Sequence, residues 1–198
     1  MAGPDIRVCF LGDSFTLGQG DAEGLGWVGR VHAAERGRGL DFTAYNLGIR
    51  GQTGAEIAVR APAEVARRIA EKGDRQGVVA SFGANDIRLD RPIEESAQAL
   101  AQILRWSATQ GWRAFVMGCP HAAEPELDVL RAQLNLHMEE TARRLSVPFL
   151  DIRERLHDWS HWHREAMEGD GVHPGAEGYR AVAAVFEAWQ PWRAWLDG

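Results

Sequence analysis

The sequence predicts a three-layer α/β/α sandwich with a five-stranded parallel sheet at its centre. Short apolar, β-rich runs alternate along the 198 residues with segments whose apolar positions recur at helical spacing. Several of those runs are apolar at nearly every position, as strands covered on both faces are, and alternation with helices implies right-handed βαβ crossovers. A composition of 45% hydrophobic and 25% charged residues is enough for a core of this size without disulfide or metal staples. A single domain over residues 1–198 is therefore expected.

The elements follow in order. Ile6 to Leu11 (IRVCFL) is the first strand, ended by Gly12, and Trp27, Val28, Val31 and Ala34 mark one face of the first helix. Asp41 to Leu47 is a weaker second strand. Ile57, Ala61, Val65 and Ile69 define the next helix, in which Pro62 predicts a kink or a restart. Gly77 to Phe82 is the third strand. Asp90 before Pro92 signals the start of a helix through Ile93, Leu100, Ile103 and Leu104, and Arg113 to Met117 is the fourth strand. Leu127, Leu130, Leu134, Met138 and Leu145 form the following helix, with Val147 to Leu150 as a weak fifth strand. The last helix is expected from Pro174 through Tyr179, Val182, Val185, Phe186 and Trp189, ended or bent by Pro191.

Charge and cysteine content exclude several function classes. The 28 acidic residues outnumber the 22 basic ones, for a net charge of −6, and the only basic pairs are Arg67-Arg68 and Arg143-Arg144, so no nucleic-acid partner is expected. Cys9 and Cys119 make neither a disulfide framework nor a CxxC motif. Met1 to Asp5 lacks a basic segment followed by an apolar one, and no run approaches 18 apolar residues, so no integral membrane segment and a cytoplasmic location are expected.

In a parallel α/β fold, ligands bind at the carboxyl ends of the strands. The polar residues found there are Gly12-Asp13-Ser14-Phe15-Thr16, Asn46-Leu47-Gly48 and Gly83-Ala84-Asn85-Asp86, with Asp170-Gly171-Val172-His173-Pro174 near the chain's end. Taken singly, each reads as a turn or a capped helix start. Together they supply what acyl transfer needs: a nucleophile (Ser14), a base (His173), a carboxylate to orient the base (Asp170), and donors for a developing oxyanion (the Gly48 N–H and the Asn85 side chain).

With these four blocks in this order, the chain resembles the GDSL or SGNH hydrolases, named for Ser, Gly, Asn and His. Gly51 and Thr53 follow the second block as they do there, and the resemblance runs from Arg7 to the final helix. Phe15 stands where the lipase-like name has leucine, a departure that bears on the word lipase more than on hydrolysis. The resemblance implies a flavodoxin-like sandwich and hydrolysis of a small-molecule ester or thioester with no metal or other cofactor. It also implies Ser14 as nucleophile, His173 as base then acid, Asp170 as its partner, and an oxyanion hole of the Ser14 and Gly48 N–H groups with Asn85. Its sheet order separates the first and fourth strands, which puts Cys9 and Cys119 out of bridging range. No long apolar insertion suggests a lid, so short-chain or acetyl esters are favoured, with lysophospholipase, thioesterase or a non-catalytic binding module as alternatives.

Other signals carry less. Gly24-Leu25-Gly26-Trp27-Val28-Gly29 matches the dinucleotide pattern GxGxxG but lies well past the first strand and lacks the acid about 20 residues on. The nearby Gly-x-Ser-x-Gly elbow of α/β-hydrolases is missing its second glycine, which is Thr16. His157, Asp158, His161 and His163 have no completing metal ligand and read as a surface or pocket-wall cluster, which with Trp159 and Trp162 makes them a candidate wall of an acyl pocket. Asp13 and Asp86 are expected to orient loops. His32, His121 and His137 are read as structural or surface residues. Trp189, Trp192 and Trp195 either seal the core or form a surface for homo-oligomer assembly.

Overall fold

The computed structural model describes residues 3–69 and 73–198. Met1, Ala2 and residues 70–72 lie outside it. Its five strands are β1 (Asp5–Gly12), β2 (Asp41–Gly48), β3 (Arg75–Ser81), β4 (Arg113–Met117) and β5 (Phe149–Leu150), all parallel in the order β2-β1-β3-β4-β5. The chain thus reverses direction along the sheet between β1 and β3, and the crevice at that switch point opens where β1 ends in Gly12, in register with Gly48 of β2 and Ser81 of β3.

Helices cover both faces. On one side lie α2 (Gly26–Gly37), α8 (Ser160–Glu168), α9 (Ala176–Ala188) and α10 (Gln190–Asp197); on the other lie α3 (Gly54–Ile69), α5 (Ile93–Thr109) and α6 (Pro125–Arg144). The alternation of strand side chains splits β1 between two cores: Ile6, Val8 and Phe10 enter the first, Cys9 and Leu11 the second, and all five are fully buried. Short helices α1 (Ser14–Leu17), α4 (Ala84–Arg88) and α7 (Ile152–Arg155) follow β1, β3 and β5. Four or five residues are too few for a periodic apolar stripe, which is why the sequence reading takes these segments as loops.

Three local expectations need correction. Asp90 does not start α5: it sits at φ +50 in a turn, and the cap position is Pro92, with no side-chain cap. The final apolar pattern is two helices, because Trp189 is extended and Pro191 lies in the first turn of α10, where its missing N–H has no role to fill. The first of the two starts at Ala176 and not at Pro174. At Pro62 α3 does not restart but runs through as one element, which leaves the kink of the two expected outcomes.

The C-terminal tryptophans belong to the core. The Trp189, Trp192 and Trp195 rings stand 5.9, 5.3 and 5.5 Å from the Phe115 ring of β4, mostly edge-on, and Trp192 is fully buried. That arrangement favours core sealing over a tryptophan-lined surface for self-association.

Cys9 and Cys119 are both buried and free, one in each core layer, with β3 between β1 and β4. Burial pushes both thiols up to about 12. The native protein should therefore resist thiol reagents at pH 8, and two thiols should titrate in denaturant without reductant. Fast labelling of the native protein, or no thiol after unfolding, would contradict this placement.

Candidate active site

Gly12 sets the position of the serine. A Cβ built there would fall 2.0 Å from Thr16 Oγ1 and 2.3 Å from the Ser81 carbonyl oxygen, so only glycine lets the chain turn this tightly off β1. Thr16 then donates through Oγ1 to the Ser81 carbonyl at 3.2 Å, tying the turn to β3. Asp13 caps α1, its Oδ1 accepting from the Phe15 N–H at 3.0 Å. Ser14 is thereby held at the first position of a buried helical turn at the carboxyl end of the central strands.

His173 reaches the same point from the far end of the chain. Its Nε2 lies 2.8 Å from Ser14 Oγ and its Nδ1 lies 2.7 Å from Asp170 Oδ2. Asp170 Oδ1 also accepts the backbone N–H groups of Val172 and His173 at 3.0 and 2.9 Å, folding the loop back on itself. Burial acts to raise the Asp170 pKa, but the hydrogen bonds from His173 and Val172 outweigh it and hold the carboxyl at about 2. An ionised Asp170 only accepts, so the imidazole proton sits on Nδ1 and leaves the Nε2 lone pair facing the serine hydroxyl.

Sequence reasoning missed the residue that fixes this loop from outside. Glu165 of α8 accepts the N–H groups of Gly175, Glu177 and Gly178 at 2.9, 3.0 and 2.8 Å, capping α9 through space instead of from the preceding residue. Gly20, at φ +91, lets its own loop pack on the histidine, since a Cβ there would lie 2.6 Å from the Pro174 carbonyl oxygen. No local sequence signal marks Glu165. Glu165→Ala should destabilise the fold by about 1–3 kcal/mol per donor left buried and unpaired, and lower turnover by up to about 10²-fold through displacement of His173. Urea denaturation and steady-state kinetics read the two effects, and wild-type values for both would remove this role.

The structure brings Asn85 to the site but not Gly48. Asn85 Nδ2 donates to the Gln52 carbonyl at 3.1 Å and to Asp13 Oδ2 at 3.4 Å, the second too long to be strong. The Gly48 N–H is committed to Asn46 Oδ1 at 3.0 Å, and the space beside its Cα is filled by the Leu17 backbone nitrogen, 2.2 Å from where a Cβ would stand. Gly48 thus serves close packing of α1 on β2, and Gly51 lines the cleft in its place. Among the described residues, nothing accepts from the N–H of Ser14 or of Gly51.

Asp13 and Asp86 hold loops, as expected. Asp86 accepts the Gly54 N–H at 3.0 Å and the Ser96 hydroxyl at 2.9 Å, joining α4 to α3 and α5. Burial drives the Asp13 carboxyl up to about 7. The expected histidine wall is not part of the cleft: His157 is exposed, His161 accepts from Arg164 at 2.9 Å, and His163 lies beside Trp159 and His121. Trp162 contributes from below, stacked on Phe15 at 5.6 Å, while Phe15 in turn touches the His173 ring at 5.0 Å. His121 lies 3.0 Å from Asp128, which Arg153 also holds, a structural role. Among the described residues no His, Cys, Asp or Glu cluster has a metal-binding arrangement, and no helix is long and apolar enough to cross a membrane. Of the GxGxxG match, Gly26 packs against Gly18 while Gly24 faces open space, and neither opens a helix directly after a strand.

The cleft is small, about 290 Å³, and is bordered by Ser14, Asn85, Gly51 and His173 together with Phe15 and Arg131. Its parts come from the ends of β1 and β3, the loop after β2, and the segment before α9, the placement that open α/β sheets give their ligand sites.

Comparison with known proteins agrees with this architecture. The solved structure of TesA superimposes with a TM-score of 0.75 at 20% identity, covering 93% of this chain and 98% of that one. The psychrotrophic esterase EstA from Pseudoalteromonas sp. gives 0.73 at 16% identity over 97% and 99% of the two chains. A catalytic mutant of Axe2, an acetylxylan esterase from Geobacillus stearothermophilus, gives 0.72 at 19% identity over 93% and 94%. No curated protein sequence matches the chain. At these identities the likeness is one of fold, an SGNH-hydrolase sandwich. A family model spanning residues 10–181 goes further: the chain belongs to the GDSL-like lipase/acylhydrolase family.

Proposed function

We propose that the protein is a carboxylic-ester hydrolase in which Ser14, His173 and Asp170 act as a triad, with short-chain or acetyl esters as substrates. The observation that carries this reading is the single imidazole bridging Ser14 Oγ at 2.8 Å and Asp170 Oδ2 at 2.7 Å. As Ser14 Oγ attacks the ester carbonyl, His173 Nε2 takes the hydroxyl proton and Asp170 stabilises the imidazolium. The imidazolium then protonates the departing alcohol, and water activated by the same nitrogen releases the acid from the acyl-enzyme.

The developing oxyanion needs donors already in place. The unpartnered N–H groups of Ser14 and Gly51 suit that role, with Asn85 Nδ2 as a third, because its long bond to Asp13 is easily exchanged for one to a charged oxygen. A cleft of about 290 Å³ holds a small acyl group more readily than a long chain. The name of the acetylxylan esterase leaves acetylated sugars, and the family resemblance leaves thioesters, as specific forms of the same chemistry.

The test is hydrolysis of p-nitrophenyl esters from acetate to palmitate by wild type beside folded Ser14→Ala. Activity on short esters, lost in the variant, is expected. Equal rates for both proteins would sink the serine mechanism, and a palmitate optimum would point to a lysophospholipase. Failure of Ser14 to react with a fluorophosphonate probe would favour a binding module.

A further inference from the structure

Arg131 of α6 stands out among the residues bordering the cleft. It is 6% exposed, yet among the described residues no carboxylate pairs with it. Its Nη1 donates to the Pro120 and His121 carbonyls at 3.3 and 3.0 Å, and its guanidinium carbon lies 5.6 Å from the centre of the Phe15 ring. Those contacts hold one nitrogen and one face. Nε is buried with no hydrogen-bond partner, and Nη2 has no acceptor among the described residues.

A guanidinium cannot shed its proton to escape burial, so a buried arginine normally has an anion on its fork. Asp13 is the buried carboxyl that feels its field, but burial pushes Asp13 up to about 7 and no ion pair forms between them. Two more arginines border the same cleft. Arg88 reaches only Asn85 Oδ1, at 3.3 Å, and Arg50 has no partner among the described residues; both are exposed. Among the described residues no acidic side chain borders the cleft. Three cations without counter-ions thus converge beside Ser14 in a chain whose net charge is −6. A locally positive cleft in an acidic protein concentrates anions.

We propose that the substrate of this site carries an oxyanionic group, a carboxylate or a phosphate monoester, which docks on the Arg131 fork with Arg88 and Arg50 at the rim while Ser14 meets the ester carbonyl. The inference rests on the ester-hydrolase reading for the word substrate, but not for the anion site itself. Arginine suits this task because two parallel N–H groups match two oxyanion oxygens, which both orients the ester and excludes neutral analogues.

The experiment compares kcat/KM for 4-acetoxybenzoate with that for its methyl ester, and for 4-acetoxyphenyl phosphate with that for phenyl acetate, in each of several proteins. Intrinsic reactivity cancels because the same pairs are used throughout. The anionic-to-neutral ratio should fall about tenfold or more in Arg131→Gln, which keeps the stem and removes the charge and the fork, and less in Arg88→Ala, where an exposed side chain is removed without risk to the fold. Arg143→Ala, exposed and remote on α6, should leave it unchanged. The pair with the larger fall identifies the anion as carboxylate or phosphate. In parallel, calorimetric titration of Ser14→Ala with benzoate and with phenyl phosphate reads anion binding without turnover, and binding should vanish when Arg131→Gln is added. Ester hydrolysis whose ratio ignores both Arg131 and Arg88, with no anion bound, overturns the proposal and leaves the hydrolase reading standing. Arginine-dependent anion binding with no ester hydrolysed would support the anion site and overturn the hydrolase reading.

Discussion

His173→Ala is expected to lower kcat/KM on a short ester by about 10⁴- to 10⁶-fold, because it removes both the proton acceptor for Ser14 and the donor to the leaving alcohol. The double variant with Ser14→Ala should be little worse, since the two act as one unit across a 2.8 Å contact. Asp170→Asn should cost about 10⁴-fold by a different route: an amide can donate to Nδ1 and so put the imidazole proton on the nitrogen that must receive the serine's. The pH profile separates the roles. Hydrogen bonds depress the folded Asp170 carboxyl to about 2, below its ordinary 3.8, so its contribution is fully present above the ordinary value and is lost only as pH falls through about 2. Between pH 4 and pH 8 the profile should contain no limb from Asp170. A limb near pH 4 that disappears in Asp170→Asn would mean that the hydrogen bonds from His173 and Val172 do not hold in solution.

The site was legible in the sequence to the extent that its chemistry is local. Ser14, Asn85 and the Asp170–His173 pair each sit in a short block at a strand end or in one loop, and residue type together with spacing names them. Where the function depends on which way a backbone group points, the sequence is silent. Gly48 and Gly51 both follow β2, and only the hydrogen bond from the Gly48 N–H to Asn46 Oδ1 decides that the first is used up in packing. Residues delivered by tertiary packing left no trace either. Glu165 caps a helix that begins 11 residues later, and Arg131 enters the cleft from the middle of a 20-residue helix whose apolar positions carried the whole of its sequence signal. For the histidines near position 160, sequence proximity to His173 does not give spatial proximity to the cleft, because α8 directs Trp162 inward and leaves His161 outside. The strands fared better because burial on both faces writes an apolar run that needs no tertiary information.

Glu35→Ala is expected to lower the thermal midpoint by roughly 6–20 °C without lowering kcat at 25 °C, and the reason lies at the opposite end of the sheet from Ser14. Glu35 of α2 is fully buried among groups from the C-terminal helix: it accepts the Trp192 indole N–H at 3.0 Å and pairs with Arg193, while Arg38 donates to it at 3.1 Å. Arg38 is half-exposed, so water can replace that contact and little is lost there. The Trp192 N–H and the Arg193 guanidinium have no such recourse, and Arg193 Nε is already buried without a partner. Breaking a buried pair from one side leaves a charge unpaired and costs about 3–5 kcal/mol, and a chain of this length loses roughly 2–4 °C per kcal/mol. Glu35→Gln keeps an acceptor for the indole and removes only the charge, so its loss should be smaller. Circular dichroism melts of the three proteins give the order directly. A Glu35→Ala midpoint within about 1 °C of wild type would mean that α10 is held by its apolar contacts alone, among them Trp192 against Phe42 of β2, whose rings stand 5.9 Å apart, edge to face. Because Glu35 lies just before β2 begins and Ser14 just after β1 ends, the parallel sheet itself keeps the two effects apart: one end holds the chain closed while the other carries the chemistry.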